Sequence, residues 1–173
     1  MSRRFRGESV HKVDGKGRVS IPAAFRRVLE ENDPDYTSGL NPNLIIVYGN
    51  SKRTFLEGFS VASINEVDEK IAALPRGSKS RRILERMFSG QALHTSIDET
   101  GRLVLPQKIR DKVGIINDAI FIASGDTFQI WHPDTYTQHN LEIDSWYDQQ
   151  DSDFDPLFPV SYTHLTLPTT PYV

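Results

Sequence analysis

No cysteine occurs anywhere in the 173-residue chain. A disulfide framework and a thiolate metal site are therefore excluded, and a reducing compartment is permitted. Long apolar runs are also missing. Nothing approaches the roughly 20 residues that span a bilayer, and the N-terminus offers no apolar stretch for a secretory signal. The expectation is a cytoplasmic protein without a membrane partner. An overall excess of positive charge, common in nucleic-acid binders, is lacking too: 20 Lys and Arg face 23 Asp and Glu. The charge is nevertheless unevenly spread. Residues 1–27 carry eight basic side chains and two acids, whereas residues 134–155 carry seven acids and no Lys or Arg. Such polarity between the ends bears on partners more than the total does.

Catalytic patterns are absent as well. No nucleophile elbow, phosphate-cradling Gly loop or metal-ligand spacing is found. His132 and His139 stand seven apart, outside the i, i+4 spacing of a helical metal pair. Asp14 and Asp98 could be imagined as an acid–base pair, but nothing around them supplies a nucleophile. No catalytic residue, metal or cofactor is expected.

What is present is a repeat. The segment His11–Arg26 returns, without gaps, as Thr95–Arg110. Asp14, Gly17, Arg18, Pro22 and Arg26 align with Asp98, Gly101, Arg102, Pro106 and Arg110 at a constant offset of 84 residues. Each copy reads as a hairpin followed by a helix. Glu8–Val13 is strand-like. Asp14 to Gly17 is a turn in which Asp bonds its own backbone and Gly accepts positive φ. Arg18–Ile21 alternates Val19 and Ile21 on one face with Arg18 and Ser20 on the other. Pro22 opens a helix, where its missing N–H costs nothing, and Phe25, Val28 and Leu29 form the apolar stripe. In the second copy Leu103 and Leu105 take the apolar strand face, and Ile109 and Val113 the stripe. Arg26 and Arg110 are read as partly structural, facing out beside those stripes.

Two strands follow each helix, Leu44–Tyr48 matching Ala119–Ala123 and Thr54-Phe55 matching Thr127-Phe128. The first copy is longer by about eleven residues, and Glu31–Asn41, rich in turn formers, reads as a surface loop. Between the copies, Ser60–Leu74 has helical spacing, with Val61, Ile64, Val67, Ile71 and Leu74 in phase. Ser78–Phe88 offers Ile83, Leu84, Met87 and Phe88 as a buried side and Lys79, Arg81, Arg82 and Arg86 as a solvated basic one. Pro133–Leu141 reads as a last helix, with an acidic, mobile stretch beyond it. A lone unit of about 50 residues has a marginal core, so the two copies are expected to bury their apolar faces against each other. The chain divides into a first repeat at 1–59, a helical linker at 60–90, a second repeat at 91–141 and an acidic flexible tail at 142–159. Residues 160–173 contain no Asp, Glu, Lys or Arg and read as a foreign or disordered end.

The Asp-x-x-Gly-Arg hairpin followed by strand, Pro and short helix resembles the swapped-hairpin DNA-binding fold of the AbrB type. Arg4-Phe-Arg-Gly-Glu8, His11, Asp14, Lys16-Gly-Arg18, Ile21-Pro22 and Phe25-Arg26 resemble the N-terminus of the MraZ family of bacterial transcriptional regulators. Thr127–Trp131 resembles that family's strand before its C-terminal helix. The resemblance covers about residues 3–141. It implies an α+β fold in which two AbrB-like swapped-hairpin β units form a pseudo-two-fold, barrel-like core with flanking helices. It also implies a regulator that binds short direct repeats in double-stranded promoter DNA. The implied targets are the division and cell-wall gene cluster and the regulator's own promoter, usually repressed. A ring-like homo-oligomer is implied too. An antitoxin or an assembly protein of the same fold is the alternative, although two tandem copies argue against an antitoxin.

The residues support DNA chemistry at particular positions. Arg18 and Arg102, each at a hairpin base, can form bidentate bonds to guanine or to phosphate. Asp14 and Asp98, with Gly17 and Gly101, are expected to fix the turns and orient the arginines. Lys16 and the arm Arg3, Arg4 and Arg6 suit phosphate contact. The copies are unequal, because Lys16 in the first turn is answered by Glu99-Thr100 in the second. Arg18 is therefore expected to dominate affinity and Arg102 to support it.

Overall fold

The computed structural model describes residues 3–160. Residues 161–173, most of the stretch read as foreign, lie outside the described residues. The first repeat contains β1 (Glu8–Lys12), β2 (Arg18–Ser20), α1 (Ala23–Glu31), β3 (Asn43–Val47) and β4 (Leu56–Ser60). Then come α2 (Val61–Ala72), α3 (Lys79–Glu85) and a π-helical turn at Arg86–Gly90. The second repeat contains β5 (Ala92–Ser96), β6 (Arg102–Val104), α4 (Gln107–Val113), β7 (Asp118–Ser124) and β8 (Thr127–Trp131). Helix α5 (Pro133–Asp148) follows. The fold is mixed α+β. Residues through Thr137 form one compact unit and those from Gln138 a second.

Strand pairing joins the repeats. Six strands form a sheet in the order β1-β7-β8-β4-β3-β5, and β2 pairs with β6 in a separate ribbon. All pairings are antiparallel. Exchanging each strand for its repeat equivalent reverses the sheet order, so a pseudo-two-fold axis passes between β4 and β8. The same axis crosses the ribbon, where Val19 lies opposite its own equivalent, Leu103. Hydrogen bonds beside that pair repeat the symmetry: Ile21 N donates to Gly101 O at 3.0 Å and Leu105 N to Gly17 O at 2.8 Å.

Among the described residues the strands do not close into a barrel, contrary to the expected barrel-like core. β1 is taken up by β7 and β2 by β6, so the hairpin opens just beyond its turn and keeps a single bridge, Val13 to Val19. Strands β1 and β5 then remain at the two sheet edges.

One core serves both copies. Val19, Phe25, Leu29, Leu44 and Ile46 from the first share a buried cluster with Leu103, Leu105, Phe121, Phe128 and Ile130 from the second. Phe5 sits between them, edge-on to Phe25 at 5.2 Å and to Phe128 at 5.1 Å. Edge-to-face rings of this kind add about 0.5–1.5 kcal/mol beyond area burial. At the centre of the sheet Phe128 covers Gly58, where a Cβ would lie 2.3 Å from the ring. No side chain fits there while the ring stays.

Three local readings change. The base of the 31–41 loop is buried, because Asp33 accepts the Asn43 backbone N–H at 2.9 Å and the Asn43 side-chain amide at 3.1 Å, pinning the loop to β3. Ile83 is 56% exposed instead of buried. The π-helical turn after α3 adds a residue to the helical phase, and it is Met87 and Phe88 that pack against the cluster of Val47, Phe59 and Ile64. Helix α5 continues seven residues past Leu141, through the start of the acidic stretch.

Candidate nucleic-acid interface

The β2–β6 ribbon has two unlike faces because side chains alternate along a strand. Val19 and Leu103 point inward and are 1% and 0% exposed. Arg18, Ser20, Arg102 and Val104 take the other face, with Arg18 opposite Val104 and Ser20 opposite Arg102. The two arginines are thus diagonal neighbours, about 7–8 Å apart by the ordinary geometry of an antiparallel pair. Their side chains are 39% and 38% exposed.

Each turn is built by its aspartate. Asp14 Oδ1 accepts the backbone N–H groups of Lys16 and Arg18, both at 2.9 Å. Asp98 Oδ1 does the same for Thr100 and Arg102, again at 2.9 Å. Gly17 N and Gly101 N close the turns onto the Asp14 and Asp98 carbonyls at 3.0 Å. Both glycines have positive φ, 84° and 81°. Only Gly17 is also sterically fixed: a Cβ there would stand 2.2 Å from Leu105 O and 2.8 Å from Arg110 Nε. Around Gly101 nothing lies within 4 Å of such a Cβ.

The arginines are held differently. Arg18 Nε donates to Asp14 Oδ2 at 2.6 Å. Arg102 Nε lies 3.3 Å from Asp98 Oδ2 and donates instead to Thr100 Oγ1 at 2.8 Å, while that hydroxyl donates to Asp98 Oδ1 at 2.8 Å. In both, the contact uses Nε and leaves the terminal Nη groups without a partner among the described residues. Backbone N–H donation from Arg18, reinforced by its side chain, holds the Asp14 carboxyl below the usual carboxylate range. The Arg102 N–H, then Thr100, pulls Asp98 down to about 2. Both carboxylates are charged at neutral pH, as the turn requires.

Arg26 and Arg110 are not simple outward-facing groups. Arg26 donates from Nη1 to the Asp98 carbonyl, so helix α1 supports the turn of the other repeat. Arg110 is 8% exposed and donates from Nε to Leu105 O at 2.8 Å. The expectation that Arg26 and Arg110 are partly structural holds, but sequence reasoning missed their carbonyl partners and the Thr100 relay. The Thr two residues after Asp98 was a signal for the latter; nothing local marked Arg110.

The basic arm lies elsewhere. Phe5 N donates to Gly125 O at 2.8 Å and Ala123 N to Gly7 O at 2.9 Å, fastening residues 5–7 to the far end of β7. The Asp14 turn follows Lys12, which pairs with Asp118 at the near end. Strand β1, about 17 Å long at ~3.4 Å per residue, separates the two. Arg3 pairs with Glu66 at 2.5 Å, and Arg4 and Arg6 are exposed. Lys16 is exposed in the first turn and Glu99 in the second. The structure therefore brings Arg18, Arg102 and Lys16 to one ribbon and leaves Arg3, Arg4 and Arg6 away from it.

A family model described as "MraZ protein, putative antitoxin-like" matches residues 4–86 and again residues 87–154. The chain belongs to the MraZ family. The second match runs past residue 141, so the acidic stretch as far as residue 154 is part of the family pattern, contrary to the reading that stopped at 141. A protein of Ruegeria pomeroyi, named transcriptional regulator MraZ, is 61% identical over 158 residues, covering 91% of this chain and 95% of that one. A like-named protein of another Ruegeria strain matches to the same extent. A third, from Cereibacter sphaeroides, is 45% identical over 143 residues, covering 79% and 84%. Among the described residues, no helix is long and apolar enough to cross a membrane.

Proposed function

We propose that the outward face of the β2–β6 ribbon binds duplex DNA and that the protein regulates transcription through it. The observation that carries this reading is the placement of Arg18 and Arg102 on one exposed two-stranded ribbon, across a pseudo-two-fold axis. A major groove admits a two-stranded β-ribbon. A separation of about 7–8 Å matches roughly two base-pair steps of ~3.4 Å. Each guanidinium is oriented through Nε and offers its Nη groups to guanine O6 and N7 or to a phosphate. Asp14, Asp98, Gly17 and Gly101 are turn-fixing residues in this scheme and touch no base.

Lys16 contacts phosphate beside Arg18, while Glu99 repels it beside Arg102. Arg3, Arg4 and Arg6 reach phosphates only where the DNA extends along β1, and Arg3 must first leave Glu66. The interlocked pairing of β1 with β7 and of β2 with β6 is read as the swapped-hairpin arrangement of AbrB-type proteins. A single ribbon covers little surface, so self-association into a ring-like homo-oligomer supplies avidity on direct repeats. The names of the relatives support regulation of transcription. Repression of the division and cell-wall cluster and of its own promoter, in the cytoplasm and on the nucleoid, is the finer reading. The protein works without catalysis or cofactor.

Selection of bound fragments from genomic DNA, followed by retention assays over a salt series, tests the proposal. A shared short repeat and a steep inverse salt dependence are expected, with a slope of about −0.9 per phosphate contacted. No enrichment and a flat salt response would overturn it. Capture of a stoichiometric toxin-like partner in place of DNA would favour the antitoxin alternative.

A further inference from the structure

A second basic site lies outside the ribbon. The β3–β4 turn, helix α3 and the π-helical turn border an open cavity of about 770 Å³, within the range of small-ligand sites. Five cations line it, Lys52, Arg53, Lys79, Arg82 and Arg86, and no carboxylate does. Lys79, Arg82 and Arg86 share one face of α3 and its continuation by their i, i+3, i+7 spacing. Lys52, Lys79, Arg82 and Arg86 have no ion pair or side-chain hydrogen bond among the described residues. Helix α3 does make such pairs elsewhere: Arg81 bonds Glu85 at 3.3 Å and the Leu74 carbonyl at 2.9 Å. The unpaired charges are thus confined to the face that lines the cavity.

Arg53 is the fixed member. Its Nη2 donates to Glu57 at 2.6 Å, its guanidinium lies 4.5 Å from the centre of the Phe55 ring, and its carbonyl accepts Lys112 Nζ at 2.8 Å. Its Nη1 is buried and has no hydrogen-bond partner among the described residues, which is costly for a charged group. Ile83, 56% exposed, adds an apolar wall. Four uncompensated cations beside an unsatisfied guanidinium donor repel one another and are stabilised by a multiply charged anion.

We propose that this cavity binds a small phosphorylated ligand of nucleotide size, the phosphates held by Arg82, Arg86 and Lys52 and the uncharged part against Ile83. The concave shape favours a free ligand over a duplex backbone. Position does too. The cavity takes in the turn after Val47, at the end of β3 that pairs with Ala92, whereas the Asp98 turn follows Ser96, which pairs with Asn43 at the other end. The proposal is independent of the DNA-binding reading, because the two sites share no residue.

Titration calorimetry of the full-length protein with inorganic pyrophosphate and with ATP tests it. Saturable binding of one or both is expected, at least about tenfold weaker in the Arg82→Ala/Arg86→Ala variant and unchanged in Arg18→Ala. Both substituted side chains are exposed and unpaired, so an unchanged thermal midpoint without ligand serves as the folding control, and Lys79→Ala provides a second, milder variant. Absence of saturable binding, or binding indifferent to Arg82 and Arg86, overturns the proposal. So does loss of duplex retention in that variant without any pyrophosphate or ATP binding, which would make the cavity a DNA-backbone contact.

Discussion

The first and second turns share one backbone and differ in what surrounds it. Asp14 and Asp98 each collect two N–H groups at 2.9 Å, so the peptide conformation is the same. Around the first, Arg18 is clamped by a carboxylate at 2.6 Å, Gly17 is wedged against Leu105 and Arg110, and Lys16 adds charge. Around the second, Thr100 stands between Arg102 and Asp98, Gly101 faces open space, and Glu99 removes charge. A duplicated unit can thus keep its turn chemistry while one copy takes on the tighter packing and the other relaxes.

The largest contrast should come from the glycines. Gly17→Ala must displace the Leu105 carbonyl, breaking the ribbon bond from Leu105 N as well as forcing positive φ. A loss of about 3 kcal/mol or more is expected by denaturant titration, against roughly 1–2 kcal/mol for Gly101→Ala, which meets only the φ penalty. Equal losses would remove the packing difference between the turns.

Next in size are the arginines. Arg18→Ala should weaken promoter binding by about 1–3 kcal/mol, the range of a bidentate base contact. Arg102→Ala should cost less than half of that in the same retention assay. A more damaging Arg102→Ala would break the claimed order. Glu99→Lys sharpens the same point from the other side. Giving the second turn a first-turn charge should tighten binding by about twofold to fivefold at low salt, and the gain should fade as salt rises.

The smallest effect is on acid stability. Asp98 is pulled down to about 2 in the fold from roughly 3.9 in the unfolded chain. Its contribution is complete above about pH 4 and is lost as the pH falls towards 2. Asp98→Asn should flatten the stability profile measured by denaturant titration across that window. Asp14→Asn should do likewise, since Asp14 is lowered too. An unchanged profile in both variants would mean the carboxylates do not hold the turns through their charge.

Much of the fold was legible because its signals are local. Alternation placed Val19 and Leu103 inside, and Pro22 and Pro106 marked the starts of α1 and α4. The Asp and Gly spacing specified both turns, and the repeat itself announced the symmetry. Illegible parts depend on distant partners. Arg110 is buried because Leu105 and the first repeat's Gly17 close over it. Ile83 is left outside the cluster that Met87 and Phe88 join, because the π-helical turn at Arg86–Gly90 puts those two out of phase with it. The arm at Arg3, Arg4 and Arg6 is remote from the ribbon because Phe5 is drawn between Phe25 and Phe128, a contact across more than 120 residues of sequence.

By itself the sequence determined two hairpin turns, each ending in an oriented arginine, since an aspartate and a glycine three positions apart suffice to set such a turn. Only the tertiary structure decided that the arginines would share one ribbon. Their strands are short and lie 84 residues apart, and nothing local ties Val19 to Leu103. Burying both in a single core is what brings the strands together, and that burial becomes available only when the two repeats fold as one.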